Sequence, residues 1–252
     1  MHAKNKENKS NTGGSACIKV YVSMSVYMLR RRRWHKWLIT RRIPAVLPKI
    51  PRSFLKSRQW DDQMYTLKQD YKRICGLGDL DVVSINARYA SNMHAMGYTQ
   101  GYLYLLRSLY LVFGNDETIV YWSFVRLVDT VRPYGPVGKV MGGPKDIRRI
   151  LEYADSAFDA DILIDIVTVR WGFILFAQTI VCDACLLAVW DVILQDTRYI
   201  QCVMAAILQT YRYDSPETMM RLQMTCDVQI KTQEETATVL SVARTIHRQW
   251  YG

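Results

Sequence analysis

The segment YLYLLRSLYLVF, residues 102–113, constrains the fold more than any other stretch. Its apolar residues run nearly all the way round a helical projection, broken only by Arg107 and Ser108, so a helix here has to be enclosed by other elements. The chain can supply that enclosure: with 252 residues, half of them hydrophobic, it can form one large domain with a substantial core. GYTQG, residues 97–101, stands directly before the segment and sets a glutamine between two glycines at the mouth of a buried helix. A polar side chain in that position is either a turn-stabilising group or one presented outward.

Nearly every other element also has helical length and period. Helices are expected over 59–74, over Asp81–Asn92 with Val82, Ile85 and Tyr89 on one stripe, and over 103–113, ended by Gly114. Asn115 or Asp116 can cap the next helix, whose apolar face is Ile119, Trp122, Phe124, Val125 and Val128. After a Gly- and Pro-rich loop from Arg132 to Pro144, helices are expected at 145–155, 161–168, 171–180, 183–195 and 198–212. Ser215-Pro216 reads as a helix start, and Thr232-x-x-Glu235 as a capping box before a last helix carrying Val239, Val242, Ile246 and Trp250. The β-branched run Ile162–Val169 could be a strand by composition, but no alternation elsewhere offers it a sheet. The pattern predicts an all-α fold.

The charge is uneven. Residues 1–60 hold 15 Lys or Arg against the single Glu7, about +14, whereas the rest of the chain carries 18 basic and 22 acidic residues, about −4. Residues up to about 15 are too polar to pack. The apolar run that follows is interrupted by Lys19 and is shorter than the ~20 residues that span a bilayer. The main basic cluster, Arg30–Arg33, comes after that run, the reverse of a secretory signal. Pro44, Pro48 and Pro51 mark an extended connector. The reading is a basic, partly disordered extension over 1–39 and a helical domain over 40–252. The basic segment, residues 30–42, could be a solvated linker, a contact for an anionic membrane surface or a nucleic-acid patch; nucleic acid is the least favoured partner.

The six cysteines form no disulfide framework and favour a reduced, cytoplasmic compartment. Cys182-Asp-Ala-Cys185 has no second pair for zinc, so no metal site and no cofactor of the chain's own is expected. Gly135–Val140 lacks the Ser or Thr and the earlier glycine of a phosphate-binding loop, and no GxSxG, HExxH or EF-hand pattern occurs.

RYASNMHAMGYTQGYLYLLRSLYLVFGNDETIVYWSFVRLVD resembles the central block of TBC domains, the Rab GTPase-activating domains, in which a Gly-Tyr-x-Gln-Gly turn precedes an apolar helix. A later block, VRWGFILFAQTIVCDACLLAVWDVILQDTRYIQCVMAAIL, resembles the family's Trp-Phe-x-x-Leu-Phe helix and Trp-Asp element through Trp171, Phe173, Phe176, Trp190 and Asp191. The resemblance spans about residues 40–212. Leu67-x-x-Asp70-x-x-Arg73 is similar to the family's I-x-x-D-x-x-R motif, with Ile74 following the arginine.

The resemblance implies a single multi-helix TBC domain acting on a Rab-type small GTPase in its GTP state, with GTP and Mg²⁺ carried by that partner. Arg73 would be an arginine finger against the phosphates and Gln100 a glutamine finger positioning the attacking water. Asp70, Tyr98, Gly97 and Gly101 would support them; Trp171, Trp190 and Asp191 would be scaffold. Such a partner places the chain in the cytoplasm, peripheral on endomembranes. The alternatives are that Asp70 and Arg73 are a surface ion pair and that the chain is a non-catalytic TBC-like binding module.

Overall fold

The computed structural model describes residues 24–39, 44, 46–92, 97–135, 149–150, 167–211 and 228–252. Nine α-helices are found among these: α1 (Met24–Leu38), α2 (Arg52–Leu55), α3 (Arg58–Tyr71), α4 (Val82–Asn92), α5 (Tyr102–Phe113), α6 (Glu117–Val131), α7 (Asp183–Gln195), α8 (Tyr199–Tyr211) and α9 (Gln233–Tyr251). Among the described residues the one β feature is an isolated parallel bridge between Ile180 and Ile230. The all-α expectation holds. The expected helices over 145–155 and 161–168 and the start at Ser215-Pro216 lie almost wholly outside the described residues.

Local chemistry sets most of the helix starts. Ser57 accepts a hydrogen bond from the Trp60 N–H, Asp81 from the Ser84 N–H and Asp116 from the Ile119 N–H, opening α3, α4 and α6. Thr232 and Glu235 form the full reciprocal capping box at α9. α5 sits at the centre: Leu103, Leu105, Leu106 and Leu109 have no solvent exposure, as an all-round apolar helix requires. It packs on α6 and α1, and α8 packs along α9.

Two expectations are corrected. The first concerns α1, where the cluster expected to form a basic extension docks against α5, α6 and α7. Trp34 is fully buried, stacked on Trp190 with ring centroids 5.5 Å apart, and donates its indole N–H to Asp191 at 2.6 Å. Arg30 binds the same carboxylate through Nε and Nη2 at 2.9–3.1 Å. Arg30, Trp34 and Leu38 are spaced i, i+4, i+8, so one stripe of the helix enters the core while Arg32, Arg33, His35 and Lys36 stay exposed on its other faces. Residues 24–38 are therefore packed with the body and are not a solvated linker.

The second correction is at 171–180, which is not one α-helix. Val167–Phe173 forms a short π-helical stretch, followed by turns to Thr179. The Phe176 N–H reaches back to the Trp171 carbonyl, and Leu175 and Phe176 both adopt positive φ. The buried Trp190 indole donates to the Leu175 carbonyl at 2.9 Å and fixes this turn. Gly172, the aromatic residues and the β-branched Ile174, Thr179 and Ile180 give the segment little helical preference to set against this close packing.

At the far end, Asp196 joins the α7–α8 corner to α9. It accepts from Nε and Nη2 of the Arg198 guanidinium at 2.7–3.0 Å and lies 2.9 Å from His247, whose ring stacks on Tyr199. The Arg198 hydrogen bond chiefly, with His247 assisting, holds the Asp196 carboxyl at about 2, below its ordinary 3.8. A depressed carboxylate contributes stability that is complete above its unfolded value and is lost as pH falls from about 4 to about 2. Thermal melts of Asp196→Asn should therefore lie below wild type near neutral pH and converge with it at about pH 2; an unchanged gap across that window would refute the linkage.

Candidate functional site

α3 delivers the first group. Its inward stripe is Trp60, Leu67 and Asp70, with Gln63 half-buried on the same side. Asp70 is a nearly buried carboxylate at the end of this stripe, and Arg73 lies just beyond the helix, its N–H bonded to the Asp70 carbonyl. Asp70 Oδ1 is 3.7 Å from Arg73 Nη1, while the Arg73 side chain remains 65% exposed. The guanidinium is tethered at one edge and open to solvent along the others.

The chain after Arg73 folds back onto α5. Ile74, Leu77 and Leu80 are buried, and Arg107 donates Nε–H to the Cys75 carbonyl at 2.8 Å. The other arm of Arg107 pairs with Asp183 at the start of α7, at 2.7 Å. The stretch from Ile74 to Leu80, ahead of α4, is thus a loop pinned to the central helix.

The second group comes from the turn before α5. The Thr99 carbonyl accepts from the Tyr102 N–H at 3.1 Å, closing a turn around Gln100 and Gly101. Gly101 has φ +105°, a conformation other residues rarely adopt, and a Cβ there would lie 2.7 Å from Ile174 Cγ2. Gly97 also has positive φ, and a Cβ on it would strike the Gln63 amide, whose Oε1 accepts from the Tyr98 N–H at 3.0 Å. Gly97, Tyr98 and Gly101 are buried; Gln100 is exposed. The turn therefore projects the glutamine from a backbone held on both sides.

Asp70 joins the two halves. Its Oδ2 accepts the Tyr98 hydroxyl at 2.6 Å while Oδ1 faces Arg73. Burial and then the Asp70 hydrogen bond push the Tyr98 phenol far above its ordinary value, so it stays a donor. One carboxylate thus orients an exposed cation and the turn that carries an exposed amide. The ion-pair alternative for Asp70 and Arg73 is met in geometry, but its carboxylate is shared and buried, unlike that of a surface pair.

The scaffold residues lie away from this surface. Trp171 and Trp190 are fully buried, and Asp191 is engaged by Arg30 and Trp34. Among the described residues no group of His, Cys, Asp and Glu could hold a metal ion. Cys182 is half-buried at the head of α7 and Cys185 is buried, whereas Cys75 is exposed. Sequence reasoning missed Gln63 and Arg107. Both carried a signal: Gln63 lies seven residues before Asp70 on the same stripe, and Arg107 is the single charged residue inside α5.

No curated protein matches the chain. The sequence model of the Rab-GTPase-TBC domain matches residues 52–215, a span that begins at α2 and includes Asp70, Arg73, the Gln100 turn and the Trp190–Asp191 pair. With that match covering well over half the chain, and with all-α architecture around the glutamine turn, the chain belongs to the Rab-GTPase-TBC domain family.

Proposed function

We propose that the chain is a GTPase-activating protein for Rab-family small GTPases in their GTP state, supplying Arg73 and Gln100 in trans. The observation that supports this most is the shared Asp70 carboxylate, which ties an exposed guanidinium to the turn bearing an exposed glutamine amide. Phosphoryl transfer to water needs an oriented nucleophile and neutralisation of charge on the transferring phosphate. Arginine offers a planar fork of donors to phosphate oxygens and remains charged at any physiological pH. An amide side chain can accept from and donate to one water, which is what positioning it requires. The GTP and Mg²⁺ belong to the partner, and the place of action is the cytoplasmic face of the membranes that carry it.

The test is single-turnover GTP hydrolysis across a panel of GTP-loaded Rabs. Acceleration of at least one of them supports the reading. A folded chain that binds GTP-loaded Rabs and leaves every rate unchanged would instead be a TBC-like interaction module.

Tyr98→Phe offers a separate check because it alters neither finger. It removes the 2.6 Å bond to Asp70 and leaves a buried carboxylate oxygen short of a donor, costing about 2 kcal/mol in urea unfolding. Acceleration should fall by about 10²-fold through misplacement of both groups, with Rab binding retained. Full acceleration in Tyr98→Phe would mean that Asp70 does not position them through the tyrosine.

A further inference from the structure

We infer that the outward face of α1 is a docking surface for an anionic lipid bilayer. The four consecutive arginines of α1 do not act as one patch. Arg30 is taken up by Asp191, and Arg31 pairs with Asp116 at 3.4 Å. Opposite the buried Trp34 run Leu29, Arg32 and Lys36, spaced i, i+3, i+7 and all exposed, with Met28 and Arg33 exposed beside them. Leu29 is 52% exposed and Val26 and Met28 are each 46% exposed, within the first two turns. Arg32, Arg33 and Lys36 form no ion pair among the described residues, and α1 contains no acidic residue.

The helix already satisfies the core through Arg30, Trp34 and Leu38, and Val26, Met28 and Leu29 face water beside three cations that form no ion pair among the described residues. Each group suits a membrane surface: the apolar side chains of the first two turns can enter the acyl boundary, and the cations beside and beyond them can meet the headgroup charge. A nucleic acid would satisfy the cations but would gain nothing from the three apolar residues, so lipid is the occupant the face fits. At 15 residues α1 is too short to cross the bilayer, and among the described residues no helix is long and apolar enough to do so. It would lie on the surface, with the stripe through Trp34 fixing the domain's orientation above it.

Co-sedimentation of the full chain with phosphatidylcholine vesicles, with and without phosphatidylserine, tests this. The wild-type chain should bind the phosphatidylserine vesicles in a salt-sensitive manner and ignore pure phosphatidylcholine. The triple substitution Arg32→Glu, Arg33→Glu, Lys36→Glu should lower the partition coefficient by about a hundredfold or more, since each cation near such a surface contributes about fivefold. Met28→Ser with Leu29→Ser should weaken it further at high salt, where the apolar part remains. Circular dichroism melts of both variants should match wild type, because the altered side chains face solvent. Equal binding to both vesicle types, or full binding by the triple variant, would overturn the proposal. So would an RNA oligomer that displaces the vesicles and binds the Met28→Ser, Leu29→Ser variant as tightly as wild type.

Discussion

Arg73→Lys should reduce stimulated Rab GTP hydrolysis about 10³-fold or more, leaving the folded chain and its affinity for the GTP-loaded partner close to wild type. The arithmetic comes from the role proposed for it: an arginine supplied in trans contributes about 10³ to 10⁵ in rate, or roughly 4–7 kcal/mol of barrier. Lysine keeps the charge and can still approach the Asp70 carboxylate. What it loses is the planar fork that holds phosphate oxygens while one edge remains tethered. Folding should tolerate the change because the Arg73 side chain is largely in solvent. Gln100→Ala should cost at least an order of magnitude, again without unfolding, since that side chain is exposed. The pair is expected to be non-additive, because both positions lean on Asp70. If Arg73→Lys retained wild-type acceleration in single-turnover assays, a guanidinium finger would be ruled out.

Trp34→Ala carries the largest expected effect on stability, about 3–5 kcal/mol. The substitution empties a fully buried indole site stacked on Trp190 and beside Phe113, and takes the 2.6 Å donor from Asp191. Arg30 alone would then face that carboxylate. For a chain of this size the loss corresponds to a fall of roughly 10 °C in melting temperature. Trp37→Ala on the same helix, half-buried, should cost clearly less. A melting temperature unchanged in Trp34→Ala would mean that α1 is not welded to the body and would return it to the status of an appended arm. Because α1 lies before residue 52, the same result bears on how far the functional unit extends beyond the family match.

The parts of this molecule legible in its sequence are those decided by short-range chemistry. The all-round apolar character of residues 102–113 placed α5 in the centre, and Asp116 and Thr232–Glu235 marked helix starts through caps that need no tertiary partner. The glycine-framed glutamine was visible for the same reason, since its exposure follows from a local turn. What escaped was set by distant partners. The cationic composition of α1 hid a three-residue stripe whose meaning depends on Asp191, 157 residues away from Trp34. The 171–180 segment carries apolar residues at near-helical spacing, but its turn is pinned by the Trp190 N–H, which that spacing does not announce. The link from Asp70 to Tyr98 joins positions 28 residues apart, and no spacing rule announces it.

The turn carrying Gln100 also changes when the cost of ordering falls. Closed by the Thr99–Tyr102 bond and flanked by buried Tyr98 and Gly101, its main chain is held by contacts within the domain itself. Restricting a backbone residue costs about 1–2 kcal/mol, and here folding has absorbed that loss before any partner arrives. A molecule meeting this turn has chiefly the glutamine side chain to arrest, so more of the contact energy remains available as affinity or as rate.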